Sequence, residues 1–365
     1  MGPRPLVDLG ATALSGAGSL PRPMGHQNWL KWTDCVRLGL ADPAAAAPGS
    51  SLPRQLLSHL TAVTGWSGEE SPLANWTAAK VRRLPQPFLD PAIERPPSPA
   101  GRERLVILDA PAPGLFGLCA GLRGRWQFLE DIADRAPIVE VLLDWAVEYV
   151  AGAYQRLLRT PVEPDLVLWG DDLADGHGPF ISPEVFERLL APRLMGLFEH
   201  LNRRGEAAVL LHTCGNVGPL LKNLLALPIR ALSVEHALLG GVPTLRRAVA
   251  SELVLYGIVP LVRLGGAIRR GDSAAVNCLL EDAEAARPLI AADEATSFHT
   301  ASDAALAAEL LAQSPLGGGT SFCQRNPTLY LPDSRERKPP CAKCSKASHP
   351  ASRATNRQEE TWGQQ

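Results

Sequence analysis

The chain has 365 residues, 45% of them hydrophobic, and a formal net charge of -2 with acids and bases mixed throughout. That length can bury a large core, as one big α/β domain or two average ones, while the charge balance gives no footprint for nucleic acid or an anionic membrane. No apolar run approaches the roughly 18 residues of a membrane span, and the N-terminus lacks the basic stretch and apolar core of a secretory leader. The seven cysteines are odd in number and scattered, unlike a secreted disulfide framework. A soluble, cytoplasmic protein with reduced thiols is expected.

In chain order, Arg4 to Ala11 reads as a short strand containing Asp8. Residues 12–101 are rich in proline, alanine and glycine, with weak helical signals at Arg54 to Val63 and Asn75 to Arg83 and no readable strand. Order returns with a strand at Arg104 to Asp109, then helices from Arg125 to Asp134 and from Ile138 to Leu158, where Val139, Leu142, Ala146 and Tyr149 recur at helical spacing. The clearest unit follows. Two apolar runs too short for helices, Leu166 to Trp169 and Ala208 to Leu211, flank an amphipathic segment opened by Ser182-Pro183-Glu184, a capping hydroxyl ahead of a proline and an acid. Beyond it come a helix at Val217 to Leu227, a strand at Ala231 to Glu235, a helix at Val242 to Ala250 and a strand at Glu252 to Gly257. A helix at Ser273 to Ala286, a strand at Pro288 to Asp293 and a closing helix at Ala301 to Ala312 complete the pattern.

The strand ends Asp171, His212, Glu235, Gly257 and Asp293 fall roughly 20 to 40 residues apart, against about 30 per unit in a (β/α)8 barrel. A doubly wound sheet uses the same alternation, but every readable strand here ends in a polar residue or glycine, which favours a single TIM barrel spanning residues 1–317. Residues 318–365 lose the pattern and read as a disordered, low-complexity tail. In that tail Cys341, Cys344 and His349 have three of the spacings of a zinc knuckle, but Ala354 stands where the fourth ligand would be.

Three groups of residues carry chemistry. Alternate side chains of a strand share a face, so His212 and Cys214 project together at a strand end as imidazole and thiol, the ligand types zinc prefers. Asp171 and Asp172 are adjacent and therefore point apart: one is expected to face the pocket while the other orients a loop or caps a helix. Glu235 ends the next strand and is a candidate for anchoring substrate or supporting a ligand.

Taken together, Gly170-Asp171-Asp172-Leu173, Gly178-Pro179-Phe180-Ile181-Ser182-Pro183-Glu184-Val185-Phe186, Pro192-Arg193-Leu194 and Leu211-His212-Thr213-Cys214-Gly215-Asn216-Val217 resemble the uroporphyrinogen decarboxylase (URO-D) superfamily, above all its cobalamin-dependent methyltransferase branch. The likeness is clearest over residues 105–312. It implies a (β/α)8 barrel, zinc held by His212 and Cys214, and transfer of a methyl group between a corrinoid, methylcobalamin, and a thiol, with the corrinoid carried on a partner protein. Asp171, Asp172 and Glu235 are then the expected catalytic residues. The family's third zinc ligand is a cysteine at the end of the last strand; here that stretch has none, leaving Asp293, Glu294 or His299 as substitutes. Two other readings remain. One is uroporphyrinogen decarboxylase activity in porphyrin biosynthesis, needing basic residues such as Arg123 and Arg125 to hold a tetrapyrrole. The other is a barrel that binds a corrinoid or tetrapyrrole without turning it over.

Overall fold

The structure is a computed structural model that describes residues 6–8, 35–38, 71–85, 105–108, 114–158, 164–203, 208–259, 261–292, 307 and 311. In chain order it runs β1 (Leu6–Asp8), β2 (Cys35–Leu38), α1 (Ala78–Val81), β3 (Leu105–Leu108), α2 (Leu115–Arg123), α3 (Arg125–Ala133) and α4 (Pro137–Leu157). It continues through β4 (Leu166–Gly170), α5 (Pro183–Leu189), α6 (Ala191–Arg203), β5 (Ala208–Thr213), α7 (Leu221–Leu225), β6 (Ala231–Val234), α8 (Val242–Ala248) and β7 (Val254–Tyr256). The last elements are α9 (Leu261–Arg269), α10 (Ser273–Ala285) and β8 (Leu289–Ala292).

Every strand pairing is parallel. From β3 to β8 the hydrogen-bonded order follows the chain, and β2 extends the sheet beside β3 while β1 extends it beside β8. These two outer strands, at opposite ends of that order, nevertheless approach one another, so the sheet is curled. Parallel neighbours need crossover connections, and the helices between successive strands supply them.

Alternation along the strands divides the two faces. On β4, β5 and β6, Val167, Trp169, Val209, Leu211, Leu232 and Val234 join the core shared with the helices. Trp169 is the anchor of that layer, stacked on Tyr154 of α4 and meeting Phe198 of α6 edge-on. The intervening residues, Leu168, Leu210, His212, Ala231 and Ser233, therefore line the opposite, concave face. Strand register aligns Gly170 with His212 and His212 with Ser233 in one row across it.

The Ser182-Pro183 signal does start a helix: Ser182 Oγ accepts the Val185 N–H at 3.3 Å and Pro183 opens α5. The single amphipathic segment expected there is two helices, α5 and α6, meeting at Leu190. Two helices, α2 and α9, and the strand β2 were not expected. In α2 all nine residues but Gly121 are buried, so it has no polar face to mark a period; α9 runs unbroken through Gly265-Gly266, two poor helix formers that mask it in the sequence. The weak helical signal at Arg54 to Val63 and the zinc-knuckle spacing near Cys341 lie outside the described residues, as does most of Ala301 to Ala312.

Candidate metal centre

The ends of β4 and β5 carry the sequence's reactive residues to one place. His212, the penultimate residue of β5, and Cys214, just past its end, share the concave face, with Cys214 Sγ 3.4 Å from His212 Nε2. Asp172 follows β4 and turns toward the same point, one oxygen accepting the Cys214 backbone N–H at 3.4 Å. One ligand atom each from Asp172, His212 and Cys214 lies within 4.8 Å of the others. All three side chains are half-buried, so a small ligand can still reach them. An imidazole, a thiol and a carboxylate at this separation suit a zinc ion with three protein ligands and one open position, the pattern of a catalytic rather than a structural site. The far side of the imidazole is also held: His212 Nδ1 lies 3.0 Å from the hydroxyl of Ser233, which is buried in the same row.

Asp171 does something different, and its assignment to the pocket is corrected. Its carboxylate is buried and points away from the trio. It accepts the Phe116 N–H at 2.9 Å and the Gly117 N–H at 2.8 Å, so it caps the first turn of α2 from a distant strand. The helix's own N-cap, Gly114, offers no side chain for this. It must be glycine on space alone, because a Cβ there would stand 2.2 Å from Asp171 Cβ. Desolvation pushes the Asp171 carboxyl up to about 7 and the charge on Asp172 adds to this, against the lowering effect of the two N–H donors. The Cys119 thiol, on the same helix and wholly buried, is likewise pushed up, first by desolvation and then by Asp171.

A second glycine locks the two ligand-bearing loops together. Gly215 has φ +79, and a Cβ on it would come within 2.5 Å of the Ala174 carbonyl carbon and oxygen. Close approach there lets the Asn216 N–H donate to the Asp175 carbonyl at 2.7 Å. The β4 loop is itself braced, since the Asp175 side chain accepts the His177 and Gly178 N–H groups and Thr213 Oγ1 accepts the Leu173 N–H.

Glu235 follows β6 and leads into the short 3-10 turn His236–Leu239; it is not among the three residues of the group. Asp293, Glu294 and His299 lie outside the described residues. Arg123 is corrected as a tetrapyrrole contact: it is buried, paired to Asp131 at 2.6 Å, and its Nη1 donates to the carbonyls of Leu73, Ala74 and Trp76. Arg125 instead lies over the Phe180 ring at 3.9 Å from its centroid. Sequence reasoning missed Ser233 altogether, although its place at the end of the strand beside His212 was a usable signal.

No family model matches the sequence, and no curated relative matches it. Among solved structures, the fold is similar to that of a methyltransferase from Methanosarcina mazei, with TM-score 0.53 and 16% identity, covering 85% of this chain and 94% of that one. At that identity the likeness is one of fold. Among the described residues, no helix is long and apolar enough to cross a membrane.

Proposed function

We propose that the chain is a zinc-dependent methyltransferase of the URO-D superfamily, passing a methyl group between a corrinoid and a small thiol, with its curled sheet closing as a (β/α)8 barrel. The observation that carries this is the meeting of Asp172, His212 and Cys214 at adjacent strand ends. Support comes from the motif resemblance and from a methyltransferase that shares the fold.

In this reading His212 Nε2, Cys214 Sγ and an Asp172 oxygen hold the ion, with Asp172 taking the place of the absent last-strand cysteine. Zinc bound there supplies positive charge that keeps a substrate thiol as thiolate at neutral pH. The chain's own residues do the rest. Leu168, Leu210 and Ala231 floor the concave face with apolar surface, limiting water beneath the site. The Gly215 contact holds Cys214 against Asp172, and Asp171 fixes the Asp172 backbone by tying the end of β4 to α2. A corrinoid, carried on a partner protein, would supply the methyl group. The decarboxylase reading is weakened because Arg123, one of its two candidate carboxylate anchors, is committed to Asp131 and three carbonyls.

Metal analysis tests the proposal. Wild-type protein is expected to carry equimolar zinc and to methylate a small thiol from methylcobalamin, whereas His212→Ala and Cys214→Ala lose both. Wild-type protein that stays metal-free after incubation with zinc would sink it.

A further inference from the structure

The imidazole of His212 is held at both nitrogens. Nε2 faces Cys214 Sγ at 3.4 Å and Nδ1 faces Ser233 Oγ at 3.0 Å. A neutral imidazole carries one N–H and one lone pair, and only the lone pair can bind a cation. For Nε2 to serve as a ligand beside Cys214, the proton must therefore sit on Nδ1, and that tautomer is favoured by an acceptor on the Nδ1 side. Ser233 provides one. Strand register places it directly beside His212, and it is 1% exposed.

We infer that Ser233 is a positioning residue for the metal centre: its hydroxyl accepts the His212 Nδ1–H and so presents the Nε2 lone pair toward Cys214 and Asp172. This rests on the metal-binding reading above and adds to it a residue that touches neither the ion nor the substrate. Partners of this kind set both tautomer and ring orientation, and losing one typically weakens metal binding roughly 10- to 100-fold.

Two measurements separate this inference from the functional reading. The first needs no metal. Long-range proton–nitrogen NMR correlation on metal-free protein labelled with nitrogen-15 histidine, at mildly alkaline pH, identifies the protonated nitrogen of His212, assigned by its loss in His212→Gln. Wild-type protein is expected to show Nδ1–H, Ser233→Ala to shift toward Nε2–H, and Ser233→Thr, which keeps a hydroxyl, to retain Nδ1–H. The second is zinc affinity by competition with a chromophoric chelator. Ser233→Ala is expected to bind roughly 10- to 100-fold more weakly and Ser233→Thr to recover most of that loss. Wild-type protein showing Nε2–H, or Ser233→Ala with unchanged tautomer and affinity, overturns the inference. If Ser233→Ala does not fold, the wild-type tautomer and Ser233→Thr still decide it. If no variant binds zinc but the tautomer shifts as described, Ser233 still sets the tautomer of His212, while its service to a metal and the proposed function fall together.

Discussion

Gly215→Ala tests the geometry of the centre without touching a ligand. The substitution forces a side chain into a left-handed backbone at φ +79, which costs about 1–2 kcal/mol. It also drives a methyl to 2.5 Å from the Ala174 carbonyl, where ordinary contact begins near 3.4 Å. The atoms struck are backbone, so nothing swings aside: the β4 loop must retreat by nearly 1 Å. That retreat strains or breaks the 2.7 Å bond from Asn216 N–H to the Asp175 carbonyl, a loss of about 0.5–1.5 kcal/mol net. Residual overpacking adds about 1–3 kcal/mol. A total destabilisation of about 2.5–6.5 kcal/mol is expected from these three contributions, and urea unfolding of metal-free protein measures it. Because Asp172 precedes Ala174 and Cys214 precedes Gly215, the same displacement should move Asp172 away from Cys214 and weaken zinc binding in chelator competition. Destabilisation below about 1 kcal/mol with unchanged zinc affinity would refute the claim that this contact aligns the two loops.

Three further outcomes follow from the same structure. Arg123→Ala strands the Asp131 carboxylate, both partners being only 10% exposed, and should cost about 3–5 kcal/mol in urea unfolding while leaving zinc stoichiometry unchanged; a loss of zinc would place Arg123 nearer the centre than its hydrogen bonds do. The Asp171 carboxyl, raised from 3.8 to about 7, stays protonated in the folded chain over a range where the unfolded chain releases its proton. Its contribution to stability is therefore fully present below about pH 3.8 and is lost as pH rises toward 7, a change on the order of 4 kcal/mol. Asp171→Asn should flatten the stability–pH profile of metal-free protein across that range, and superimposable profiles for the two proteins would contradict the raised value. Asp172→Ala should lower zinc affinity while leaving the unfolding free energy of the metal-free chain within about 1 kcal/mol of wild type; unchanged affinity would return the third ligand to the stretch from Asp293 to His299.

Local pattern was enough to locate the strands β3 to β8 and the residues at their ends. Apolar runs too short for helices, each closed by a polar residue or glycine, are legible because burial on both faces of a parallel sheet leaves near-continuous hydrophobic segments. The pairing of His212 with Cys214 was legible for an equally local reason, since residues two apart in a strand share a face. So was the divergence of Asp171 from Asp172. Which of the two carboxylates turned inward was not, because the answer depends on α2, whose first-turn N–H groups take up Asp171. That helix is buried almost all round and so shows no amphipathic stripe.

Neighbouring strands then decided what no local window contains. Asp172 joins His212 and Cys214 only because β4 and β5 pair in a register that sets Gly170 beside His212. Ser233 reaches the imidazole only because β6 continues the same row, and Gly215 is required only because a loop some forty residues earlier passes within van der Waals distance. Sequence by itself determined which side chains stand at the strand ends, since strand periodicity is a property of consecutive residues. Tertiary structure alone decided which of them meet, since register and loop packing are set by contacts between segments far apart in the chain.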